Sequence, residues 1–237
     1  MSRNTYQSYT PDTPLDTMRA DFIRRAAMCT ALTGRYPALA EVAGQAAEIA
    51  GEIDAHAADL RAVEDDAVRA KALEDAEKID VIDVYGTLRT MLGLQDRDHL
   101  FAFLPDPPSV LGRMPSRKFS ERLTQALANL EQLPAESTLR GDFVPRLREE
   151  MAGFRRADEA EDDVRRRLRS TRLGMVVYKS ELARARDAQL GVVQTATRDR
   201  AKTVLFTLPW RKSSAAVEPA EPPAPVAPVA PSPVPPA

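Results

Sequence analysis

The chain has 237 residues, 43% of them hydrophobic, 5% aromatic and 29% charged, with a net charge of -2. This length suits one or two domains, and an Ala- and Leu-rich composition with few glycines suits helices packed through small aliphatic side chains. A sequence pI near 5.8 lacks the bias of a general polyanion binder, and the single Cys29 excludes an intramolecular disulfide or a cysteine-based zinc site within one chain.

Residues 1–12 read as a flexible N-terminus, because Met1 to Pro11 is polar and has no apolar core. No run of about 18 apolar residues follows anywhere, so neither a signal peptide nor a membrane span is expected, and the chain is read as cytoplasmic. Thr13-Pro14 then forms a helix start, with Thr as the capping acceptor and Pro at the first helical position. Leu15, Met18, Phe22, Ala26 and Cys29 recur at steps of three and four and make one apolar stripe. Gly34 to Pro37 ends this helix, and Pro37 opens the next.

From Ala38 to Leu92 no proline intervenes, and Val42, Ala46, Ile49, Ile53, Leu60, Val63, Ala67 and Ala70 keep a near-heptad spacing suited to pairing with another helix. A single helix is expected here, with a reversal at Glu64-Asp65-Asp66 as the alternative. Ile79, Ile82, Tyr85, Leu88 and Leu92 supply a bulkier face toward its end. Residues 93–115 read as a linker carrying Phe101 and Phe103 in the run Leu100 to Leu104, either tucked under the bundle end or free to dock a partner.

A second helical unit spans 116–206. Ser116 opens it, Phe119, Leu123, Leu127, Leu130 and Leu133 share a stripe, and a long element is expected from about Asp142, with Pro145 near its first turn, to about Phe206. Residues 207–237 hold Trp210, Arg211 and Lys212 and then a disordered Pro/Ala-rich tail. Val217 to Ala237 contains 9 of the 19 prolines and would be extended as polyproline, a spacer or a groove ligand.

The two units resemble one another. A shift of 97 positions over Phe22 to Ala70 gives 12 identities in 49 positions, including Phe22 with Phe119, Pro37 with Pro134 and Glu64-Asp65-Asp66 with Glu161-Asp162-Asp163. Charge divides between the units: up to Gly112 there are 11 basic and 19 acidic residues, and from Arg113 onward 22 basic and 16 acidic. The expected fold is therefore all-α, an elongated antiparallel helical bundle of two tandem copies, each a short helix plus a long helix, with units at 13–92 and 116–206.

No catalytic, cofactor or metal site is expected. A carboxylate-bridged di-metal centre needs paired Glu-x-x-His motifs, and the two histidines, His56 and His99, lack the required Glu. Cys29 lies in an apolar stripe as an inert thiol, and no phosphate loop or nucleophile elbow occurs. The densest chemistry is Arg165, Arg166, Arg169 and Arg172 on the second long helix. Nearby carboxylates favour ion pairing within or between subunits, and a nucleic-acid contact is the alternative. Trp210 with Arg211 and Lys212 is expected to staple onto the bundle, with membrane-surface contact the weaker option. The function expected is a non-enzymatic structural or protein–protein interaction module, self-association included. The alternatives are a nucleic-acid binder working through residues 155–172 and a bundle hosting a cofactor or active site that leaves no motif.

Overall fold

The computed structural model describes residues 9–95 and 97–208, side chains at 97–99 excepted. Trp210, Arg211, Lys212 and the Pro/Ala-rich tail therefore lie outside the described residues, as does the side chain of His99. Among the described residues the fold is all-α: α1 Leu15–Leu32, α2 Leu39–Gln95, α3 Arg97–Phe103, α4 Pro108–Leu111, α5 Ser116–Leu130, α6 Thr138–Thr197 and α7 Arg200–Val204.

The two long helices build the molecule. α2 runs unbroken through 57 residues, about 85 Å at 1.5 Å per residue, and no reversal occurs at Glu64 to Asp66. α6 packs along it in the antiparallel sense, its Leu182 beside Ile53 and its Leu190 beside Val42. The apolar spacing is a heptad register in both helices. With core positions a and d, α2 places Ile53, Leu60, Ala67, Glu74 and Val81 at a, and α6 places Phe154, Glu161, Leu168, Met175 and Leu182 there. In an antiparallel pair each e position meets an e, and each g meets a g. Glu64 and Arg172, both at e, pair at 2.9 Å, and Asp66 and Arg167, both at g, pair at 3.0 Å.

The short helices turn the ends of this pair into three-helix layers. α1 starts near mid-rod, where Arg19 forms an ion pair with Asp54 at 2.6 Å, and runs outward so that Met18, Phe22 and Cys29 are fully buried against α2 and α6. α5 does the same at the other end. Phe119 is fully buried, its ring 4.9 Å from that of Phe154 and edge-on to it, while Lys78 Nζ lies 5.0 Å from the Phe119 centroid.

Several boundaries differ from the sequence expectation. Pro14 takes the N-cap of α1, and Thr13 instead accepts from the Thr10 N–H at 2.9 Å. α6 begins four residues before Asp142, because Ser137 is extended while Leu139 and Phe143 can bury on one face. Pro145 consequently lies inside the helix, where its missing N–H leaves the Gly141 carbonyl without an i+4 donor. α6 stops at Thr197 rather than Phe206. Arg198 adopts the left-handed conformation (φ 51°), and Asp199 accepts from the Ala201 and Lys202 N–H groups to start α7.

The expected linker is partly helical. Leu100, Leu104 and Leu111 are buried from α3 and α4, and the Tyr85 hydroxyl donates to the Asp106 carbonyl at 2.9 Å. Phe103 packs half-buried against this core, whereas Phe101 is exposed. Ile79, expected on the bulky inner face, points to solvent, because Val81, Val84 and Tyr85 carry the buried side of α2.

Candidate interaction surface

Three groups of polar side chains lie along the molecule. The first is a buried knot between α1 and α6. The Asp21 carboxylate accepts from Arg25 Nη2 at 2.5 Å, Arg186 Nε at 3.1 Å, the Tyr9 hydroxyl at 2.7 Å and the Leu208 N–H at 2.7 Å. Asp21, Arg25 and Arg186 are each 3% exposed or less. Both guanidiniums have further support: the Gln189 carbonyl accepts from Arg25 Nη1 at 2.9 Å, and Arg25 lies over the Phe22 ring and Arg186 over the Tyr9 ring, each at 4.7 Å. Burial, then the Asp21 charge, holds the Tyr9 hydroxyl far above its usual range. One carboxylate thus fastens both the segment entering α1 and the segment leaving α7.

The second group is an acidic layer in the α2–α6 seam. Glu74 and Glu161 take core a positions and are buried. Glu74 accepts from Lys71 Nζ at 2.6 Å and from the Ser116 hydroxyl at the start of α5, while Glu161 is bridged by Arg165 Nε at 2.5 Å. Burial raises the Glu161 and Asp158 carboxyls above the ordinary range, and the Glu74 charge adds to both shifts. Lys78, half-buried beside Phe119, is lowered by burial and by Lys71, and its ammonium donates to the Met114 carbonyl at 2.6 Å.

The third group is the arginine stripe. Arg165 is held by Glu161, Arg166 by Asp163, Arg167 by Asp66 and Arg172 by Glu64. Arg169 is exposed and, among the described residues, lies in no ion pair; with Asp162, Arg165 and Arg166 it lines a surface cavity of about 290 Å³. Hence three of the four arginines singled out in the sequence are engaged by carboxylates, one of them across the seam. Phe101 lies at the far end of the rod and does not join them.

Along α2 and α6 large apolar side chains also face solvent: Val68, Leu73 and Ile79 on α2, and Leu173, Val176 and Val177 on α6. The sequence marked none of these six as a contact surface. Their signal was faint, since they fall off the heptad seam among charged neighbours. Asp21, Arg25 and Arg186 were also passed over, although Arg25 interrupts the spacing Met18, Phe22, Cys29 at a position that had to be buried. Glu74 and Glu161 continue the heptad spacing in the same way.

Cys29 is buried, and burial pushes its thiol up to about 11. The His56 ring packs against that of Tyr178, tilted by 43° with centroids 4.1 Å apart. Among the described residues no three His, Cys, Asp or Glu side chains converge as metal ligands, and no helix is long and apolar enough to cross a membrane. Comparison with protein-family models, with curated proteins and with solved structures finds no match.

Proposed function

We propose that this chain is a non-enzymatic structural module that acts through protein–protein contact, the α2–α6 pair serving as a stiff arm. The observation that carries this reading is the exposure of Val68 on α2 and of Leu173, Val176 and Val177, neighbours at three- and four-residue steps on α6, at mid-rod. Apolar side chains exposed near one another and rimmed by charge are characteristic of contact sites. The nucleic-acid reading draws less support, because Arg165, Arg166, Arg167 and Arg172 already hold carboxylates and would have to exchange them for phosphates.

The same reading takes the chain as a fused pair of similar units. Supporting it, Val42, Ala46 and Ala50 are buried on α2, and the residues 97 positions later, Leu139, Phe143 and Leu147, are buried on α6. Phe22 and Phe119 are both buried on short helices that start near mid-rod.

The test is co-purification of the full chain from its native source alongside Val68→Lys and Leu173→Lys variants. A stoichiometric partner, or a second copy seen by light scattering, that the variants lose supports the proposal. A chain that stays alone and monomeric while shifting a DNA or RNA duplex in a salt-sensitive way overturns it.

A further inference from the structure

The same flank of the α2–α6 pair is covered twice and left open once. At one end α1 and its neighbours close over Ala50, Arg186 and Val193; at the other, α5 and the turns before it close over Lys78, Tyr85 and Met151. All six are e positions. Between Asp54, tied to Arg19, and Lys71, tied to the Glu74 that meets Ser116, no helix among the described residues covers this flank. The open stretch is about 25 Å long at 1.5 Å per residue.

The core layers register the missing helix. Ile53, Val81, Phe154 and Leu182 are closed at their a positions, as are Glu74, Glu161 and Met175, whereas Leu60, Ala67 and Leu168 at the remaining a positions between them are half-exposed. Beside them at b positions stand Val68, 71% exposed, and Val176, 48% exposed. Arg61 and Arg169 stand at b positions on opposite banks, about 9 Å apart along the axis as counted from the Glu64–Arg172 pair, both exposed and, among the described residues, both without an ion pair.

From this we infer that the open flank is a slot for a third helix supplied by a partner protein, an acidic amphipathic helix of three to four turns. Its apolar stripe covers Leu60, Leu168, Val68 and Val176, and its carboxylates meet Arg61 and Arg169. α1 and α5 already show how this flank accepts a helix, so the slot continues an interface the molecule uses twice. Charge complementarity selects the occupant: two cations that hold no carboxylate among the described residues flank the apolar floor. The assignment rests on the interaction-module reading and names its ligand.

The probe is a labelled 16-residue peptide with leucines at helical a and d spacing and glutamates flanking them, titrated by fluorescence anisotropy into the full chain. Saturable binding is expected, weakened about tenfold or more by Arg61→Glu with Arg169→Glu and by raising salt to about 0.5 M. Both side chains are exposed, so the variant's circular dichroism and unfolding midpoint match the parent's. Lysine-flanked peptide should not bind. Equal binding of both peptides, no binding, or binding unmoved by the paired variant overturns the slot. A dimer in light scattering that the paired variant dissolves assigns the flank to a second copy and also overturns it. Should the peptide fail while Val68→Lys still releases a native partner, the module reading stands and this inference alone falls.

Discussion

Asp21 shows how one side chain can govern a large surface. Two guanidiniums share its carboxylate out of water, so removing that charge leaves two buried cations facing neutral partners. Asp21→Asn is expected to cost about 3–5 kcal/mol in urea unfolding. Replacing Asp21, Arg25 and Arg186 together by Met or Leu is expected to cost far less; equal losses would mean that packing rather than charge holds the knot. At the acidic layer the sign is opposite. The Asp158 carboxyl is raised by burial, so the folded state favours its proton, and its contribution is fullest below the unfolded value and is lost as pH rises through the folded one. Asp158→Asn should therefore raise the unfolding midpoint at neutral pH, with the gain shrinking to nothing near pH 4. A gain that persists in acid would show that ionisation is irrelevant there. Cys29, fully buried with its thiol pushed up to about 11, should resist maleimide in the native chain and react once urea opens it. Immediate native labelling would contradict the closed packing of α1 on α2.

The long helices derive their pairing from the heptad pattern and their register from charge. Glu64 with Arg172 and Asp66 with Arg167 are partly exposed, and such pairs add under about 1 kcal/mol each. Their value lies in fixing which residues face each other. Glycines along these helices separate local from tertiary effects. A Cβ at Gly51 meets open space, so Gly51→Ala should gain about 0.5–1 kcal/mol. At Gly153 the same methyl would run into the Glu77 carboxylate, so Gly153→Ala should gain less or destabilise. Thermal unfolding of the two variants side by side decides this, and equal gains would show that Glu77 yields freely. The helices themselves were legible because a 3.5-residue apolar spacing, free of proline through α2 and through α6 beyond Pro145, is satisfied by helix. Their ends were less so. The stop at Thr197 depends on Asp199 capping the next turn, a local competition that apolar spacing does not register, and the helical turns within 93–115 form because Leu100, Leu104 and Leu111 find a core to enter.

The described residues form a rod about 85 Å long with three-helix ends and a two-helix waist. X-ray scattering of the full chain should give a radius of gyration well above the roughly 18 Å of a compact chain of this length; a value near that figure would mean the long helices fold back on themselves. The sequence by itself determined that the protein is helical, that two long apolar seams exist and that opposite charges divide between them, because periodicity and charge are properties of neighbours along the chain. Only the tertiary structure decided which flank of the pair is covered and which stays open, and which polar groups are sealed inside. Burial depends on what packs from far away: Arg25 and Glu74 resemble the solvated Arg24 and Asp75 beside them until α6 and α5 arrive. Val68 and Leu173 read as ordinary members of a helix until the short helices stop short of them.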